Sequence, residues 1–153
     1  MMKNEEIQSW GLPDNLKKQG IEFCFSKNSK KECGYNISLK NSNKDVIFRM
    51  EFFPNSENIK RAFKKEVDYM KLQLIQTEPE WRCRGIAGFY LNKLRCFVKD
   101  NKFKEIRLEV APKGKREEKA MDLNQLKSFY KKYLGSDPEL KLTCGLQGKD
   151  LEE

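Results

Sequence analysis

The chain contains no histidine and no long apolar run, and its five cysteines form no Cys-x-x-Cys pair. The missing histidine excludes Ser-His-Asp and Cys-His nucleophilic catalysis, together with the usual near-neutral general base. It also leaves no imidazole to complete a zinc site with Cys24, Cys33, Cys83, Cys96 or Cys144, so no metal is expected and the thiols read as reduced packing groups. No stretch approaches the ~18 apolar residues of a membrane span, and the opening MMKNEEIQSW lacks the apolar core of a signal peptide. The expectation is a cytoplasmic protein with no membrane partner. Repeats, low-complexity tracts and linkers are absent as well, which predicts one domain over residues 1–153. Any chemistry must run on carboxylates, tyrosine, lysine, backbone dipoles or a bound cofactor.

What the chain does have is charge. Charged residues make up 35% and hydrophobic ones 38%, and the net charge is +8. The field of such a protein favours an anionic ligand or partner. The basic residues are scattered, in Lys17–Lys18, Lys30–Lys31, Lys60–Arg61, Lys64–Lys65 and Lys113 to Lys119. No one segment gathers them with interleaved aromatics, so a solvated surface is favoured over a nucleic-acid platform.

Strand signals occupy 21–26 and 34–40, the second alternating Tyr35, Ile37 and Leu39 with Asn36, Ser38 and Lys40. Asn41-Ser42-Asn43 is turn chemistry, and 45–53 resumes the alternation with Val46, Phe48, Met50 and Phe52 on one face. These predict an antiparallel hairpin. Ile59, Phe63 and Val67 recur at helical spacing, which predicts a helix over 57–66. Residues 68–77 form a further strand whose phase slips at Leu74-Ile75, as one extra residue would cause.

After a loop at 78–84, the stripe Ile86, Tyr90, Leu94 and Phe97 predicts a helix over about 85–100, and a strand follows at 104–110. Asp122 and Gln125 resemble a capping box for a helix running to about Leu134, with Leu123, Leu126, Tyr130 and Tyr133 on its inner face. Gly135 ends it, and a last short strand falls at about 139–146. The pattern predicts an α/β or α+β domain with a mixed sheet.

The stretch Thr77-Glu78-Pro79-Glu80-Trp81-Arg82-Cys83-Arg84-Gly85-Ile86-Ala87-Gly88 lies between a predicted strand and a predicted helix. Gly85 lets backbone approach a ligand closely, uncapped N–H groups open the helix, and the helix dipole favours negative charge there. Arg82 and Arg84 add positive charge, so a pyrophosphate suits the place. The plainer reading is that Gly85 and Gly88 serve a tight turn and close helix packing.

Residues 82–87 resemble the Arg/Gln-x-x-Gly-x-Gly/Ala signature of the Gcn5-related N-acetyltransferases (GNAT). Ile-Arg-Leu-Glu-Val at 106–110 and Phe-Tyr-Lys-Lys-Tyr-Leu-Gly at 129–135 are similar to that family's next strand and last helix, so the likeness runs over about residues 68–135. It implies a splayed central sheet flanked by helices, in which strand 68–77 parts from strand 104–110. It also implies acetyl-coenzyme A in the gap. The backbone of Ile75 and Thr77 would meet the acetyl and pantetheine groups, and the amides of Arg82, Cys83, Arg84, Gly85, Ile86, Ala87 and Gly88 the pyrophosphate. Tyr130 falls at the family's usual tyrosine, the proton donor to the departing thiolate; the plainer reading of Tyr130 is core packing.

The N-terminal half is non-standard for that family, with only about eight residues joining the first two strands. The C-terminal end is short, and Leu123 stands where an asparagine is common.

The resemblance implies direct transfer of acetyl from acetyl-coenzyme A to an amine, whose identity stays open. Glu51, Glu78 and Glu109 are unranked candidates to take the amine's proton. Cys83, flanked by two arginines, reads as a backbone donor. Two other functions stand beside this one: a cofactor-binding or inactive relative serving a protein or nucleic-acid partner, and an acetyltransferase for an RNA-linked amine. Homodimerisation is left open.

Overall fold

Tyr35, Ile37 and Leu39 all turn one way because side chains alternate along a strand, and that alternation builds most of this molecule. The computed structural model describes residues 4–28, 34–54, 69–108, 123–135, 140–144 and 149–150. Seven strands form one sheet in sequence order: β1 (Glu22–Asn28), β2 (Gly34–Lys40), β3 (Val46–Pro54), β4 (Tyr69–Thr77), β5 (Glu105–Leu108), β6 (Lys141–Cys144) and β7 (Lys149–Asp150). Strands β1 to β4 run antiparallel. The pairs β4/β5 and β5/β6 are parallel, and β7 returns antiparallel to β6. The sheet is therefore mixed, and where one closing strand was expected there are two.

The α-helices among the described residues are α1 (Asn4–Gln8), α2 (Ile86–Asp100) and α3 (Leu123–Leu134). They pack on one face of the sheet, whose inward rows include Phe48, Met50 and Phe52 on β3 and Met70 and Leu72 on β4. Helix α2 buries Ile86, Tyr90, Leu94 and Phe97, the stripe predicted from spacing, and adds Leu91 and Val98. Tyr90 stacks on Phe48 at 5.1 Å between centroids, and Trp10 stacks on Phe52 while meeting Phe97 edge-on, each at 5.9 Å. Burying such a side chain stabilises the fold by about 1.5–3 kcal/mol.

The β2–β3 turn forms as its composition predicts. The Asn41 side-chain oxygen accepts the N–H groups of Asn43 and Asp45, each at 3.0 Å. Beyond the turn one expectation is corrected. Leu39 pairs with Phe48 but Lys40 with Val46, so Ile47 is an extra residue in β3. The bulge reverses the phase, and Val46 falls on Lys40's side of the sheet instead of beside Phe48.

No helix among the described residues lies between β1 and β2. Instead α1 and a 3₁₀ turn at Asp14–Leu16 precede β1, and they send Ile7, Trp10 and Leu16 into the core. The helix predicted over 57–66 lies outside the described residues, as do 109–110 and Asp122. Cys24, Cys83 and Cys96 are free thiols. No helix among the described residues is long and apolar enough to cross a membrane.

Candidate functional site

Strand β4 carries the first element of the site. Glu51 pairs with Leu74 and Phe52 with Leu72, which leaves Gln73 as an extra residue. The sequence placed this slip at Leu74-Ile75, one residue further on. Pairing of β4 with β5 runs from Tyr69↔Glu105 to Leu72↔Leu108. The bulge follows directly on Leu72, whose partner Leu108 is the last described residue of β5.

Backbone groups along β4 alternate between its two neighbours. The Glu78 N–H bonds the Ile47 carbonyl at 2.9 Å, so even-numbered residues here address β3. The N–H and C=O groups of Ile75 and Thr77 accordingly point away from β3. The Arg82 guanidinium confirms the direction by donating its Nε–H to the Thr77 carbonyl at 3.0 Å.

The second element is the loop from Glu78 to Gly85, opened by a 3₁₀ turn at Pro79–Trp81. Arg84 lays its guanidinium over the Trp81 ring, 4.5 Å from the centroid. Cys83 is exposed at φ 63°, and Gly85 caps α2 at φ 77°. A Cβ placed on Gly85 would meet nothing within 4 Å, so the space beside it is open. The first helical bond is Phe89 N–H to Gly85 O, and no side chain caps the helix. The N–H groups of Ile86, Ala87 and Gly88 thus precede the helical ladder. Sequence could not show that Asn15 donates its side-chain amide to the Arg84 carbonyl at 3.1 Å, 69 residues away.

Gly88 meets an aromatic ring. A Cβ there would lie 2.5 Å from Cζ of Tyr133, so the missing side chain admits that ring against the first turn of α2. Tyr130 faces the core instead and is only 7% exposed, and burial pushes its phenol up to about 12. Phe129 meets both rings edge-on. Helix α3 therefore offers two tyrosines, one buried and one half-buried beside the loop.

No family model matches the chain, and no curated protein matches it. Among solved structures it is similar to a ribosomal-protein-alanine N-acetyltransferase from Brucella melitensis biovar Abortus 2308, with 13% identity and a TM-score of 0.41. That match covers 55% of this chain and 54% of that one, so the chain spans about half of its length. It is also similar to the aminoglycoside acetyltransferase meta-AAC0020 from an uncultured soil metagenomic sample. In complex with trehalose that structure shows 12% identity over 74% of this chain and 75% of that one, with a TM-score of 0.43. In complex with sisomicin it gives the same identity and coverage and a TM-score of 0.42. Likeness at this level carries no inference about what the present chain binds.

The candidate proton acceptors separate by position. Glu78 is exposed in the loop. Glu51 is half-buried, directly opposite Asn36 on β2 and Leu74 on β4, and Arg49 reaches it at 3.4 Å. A cavity of about 20 Å³ lies among Asn36, Glu51 and Gln73, large enough for one water molecule. Glu109 lies outside the described residues. Among the described residues no group of three His, Cys, Asp or Glu side chains could hold a metal.

Proposed function

We propose that this chain is an N-acetyltransferase that takes acetyl-coenzyme A as co-substrate and transfers its acetyl group to an amine. One observation carries the reading: β4, whose Ile75 and Thr77 backbone groups point away from β3, leads directly to the uncapped N-terminus of α2 with open space at Gly85. The backbone groups of Ile75 and Thr77 and the amides of Arg82 to Gly88 then make one continuous series of donors and acceptors. Their fit to the ligand is supported by the open space at Gly85 and by the positive end of the α2 dipole, which together suit a pyrophosphate.

When bound, acetyl-coenzyme A supplies an acyl group already activated as a thioester. This chain's groups do the rest. The Ile75 N–H, on the side of β4 away from β3, stabilises negative charge on the acetyl oxygen in this reading, as the amine nitrogen bonds to the acyl carbon and the carbon–sulfur bond breaks. Glu51, reached through a water molecule in the cavity beside Gln73, takes the amine proton. A tyrosine of α3 returns a proton to the sulfur. Tyr130 holds the position that the resemblance assigns. Tyr133 is the second reading, favoured by the contact of its ring with Gly88.

Thermal unfolding with and without acetyl-coenzyme A tests the function. A ligand at about 100 times its dissociation constant adds roughly 2.7 kcal/mol to unfolding, and should raise the melting temperature by several degrees. No shift at millimolar ligand removes the reading. A shift without turnover on a panel of amines would favour the cofactor-binding module instead.

A further inference from the structure

The segment before β1 does more than fill the core. Trp10 lies against Phe52 and Phe97, the Gly11 carbonyl accepts the Tyr90 hydroxyl at 2.6 Å, and Leu16 is fully buried. Residues 7–16 are thereby fastened along α2. The 3₁₀ turn at Asp14–Leu16 is closed by Leu16 N–H to Pro13 O at 3.0 Å, and Gln19 donates to the Asn15 carbonyl at 2.8 Å. Asn15 is thus held at the surface, and its side-chain amide points at the carbonyl of Arg84.

That carbonyl belongs to the peptide plane that also carries the Gly85 N–H. In a trans peptide the C=O and the following N–H point in opposite directions. Drawing the Arg84 oxygen towards Asn15 turns the Gly85 N–H away from it. Without that hold the plane can rotate, because Gly85 has no Cβ to resist either orientation. The rotated plane would aim a carbonyl oxygen at the anion in place of an N–H.

We propose that Asn15 is a positioning residue for the anion loop: its amide restrains the Arg84–Gly85 peptide so that the Gly85 N–H faces the bound pyrophosphate. This rests on the cofactor site described under Proposed function. It makes the N-terminal segment part of cofactor recognition without any contact between that segment and the ligand.

The test is calorimetric titration of coenzyme A into the wild type, Asn15→Leu and Asn15→Gln, with the Gly85 amide resonance followed by ¹⁵N NMR. Asn15→Leu should bind about 3–10-fold more weakly, the equivalent of one hydrogen bond. Its ligand-free melting temperature should stay within about 2 °C, since the side chain is exposed. Its Gly85 resonance should broaden before ligand is added, and Asn15→Gln should recover part of the affinity. Wild-type affinity in Asn15→Leu overturns the inference and leaves the cofactor site standing. A fall in melting temperature of more than about 5 °C with no recovery by Asn15→Gln makes Asn15 a structural residue, and also overturns it. If coenzyme A fails to bind the wild type, the site and the inference fall together.

Discussion

The aromatic cluster beneath α2 and the loop that leads into α2 are held by opposite means. In the cluster, Trp10, Tyr35, Phe52 and Phe97 touch one another through five ring pairs with centroids 5.4 to 6.3 Å apart. In the loop, Glu78, Glu80, Cys83, Arg84 and Gly85 are exposed, two residues sit at positive φ, and side-chain hydrogen bonds from Arg82 and Asn15 help to fix the path. Each such bond is worth about 0.5–1.5 kcal/mol net. The cluster supplies stability by removing surface from water. The loop leaves backbone polar groups available, which is what an anion needs and what stability does not.

Phe97→Ala should show this most strongly. It removes a ring in contact with three others and should cost about 3–5 kcal/mol in denaturant unfolding. A loss under about 1 kcal/mol would mean that the cluster closes over the gap. Gly85→Asp should cost far less stability, about 1 kcal/mol, because its side chain meets open space and only the left-handed backbone resists it. It should nevertheless abolish most of the acetyl-coenzyme A stabilisation, by placing a carboxylate where phosphate belongs. Normal binding by a folded Gly85→Asp protein would put the pyrophosphate elsewhere.

Tyr130→Phe should have the smallest effect on stability at neutral pH, within about 0.5 kcal/mol. Its consequences lie in turnover and in alkali. If Tyr130 is the proton donor, turnover should fall roughly 10²–10⁴-fold with binding intact; if the same loss follows Tyr133→Phe and not Tyr130→Phe, the half-buried tyrosine is the donor. Burial raises the Tyr130 phenol from 10.0 to about 12, so its stabilising contribution is complete below about pH 10. That contribution is lost as pH climbs through about 12, because the unfolded chain ionises first. Tyr130→Phe should remove this part of the alkaline decline, and an unchanged pH profile of stability would contradict the burial of the hydroxyl.

Legibility in the sequence followed the range of the interactions. The β2 alternation, the Asn41 turn and the stripe Ile86, Tyr90, Leu94, Phe97 are local, and each was readable from spacing and turn chemistry. The bulge in β4 was readable as a phase slip, but the identity of the extra residue, Gln73, depends on which β3 residues lie opposite. The bulge at Ile47 was hidden because Val46, Ile47 and Phe48 are all apolar, so a slip leaves the pattern unchanged. Strand β7 is only Lys149–Asp150, too short and polar to carry a period. In the candidate site, the glycines were legible but their division of labour was not. Gly85 opens space, while Gly88 admits Tyr133, a residue 45 positions away. Asn15 was illegible altogether, since nothing local distinguishes it from any other surface asparagine.

The bond between the Tyr90 hydroxyl and the Gly11 carbonyl joins residues 79 positions apart. During synthesis at about 5–20 residues per second, Gly11 is made some 4–16 seconds before Tyr90 exists to meet it. Trp10, which packs against Phe97, waits longer still. Through that interval β1 to β4 can already pair with one another, and the indole has Phe52 of β3 to lie against but not yet Phe97 of α2. Residues 10 and 11 are thus locked in place only after the α2 residues that hold them have been made, and until then that segment is open to wrong partners.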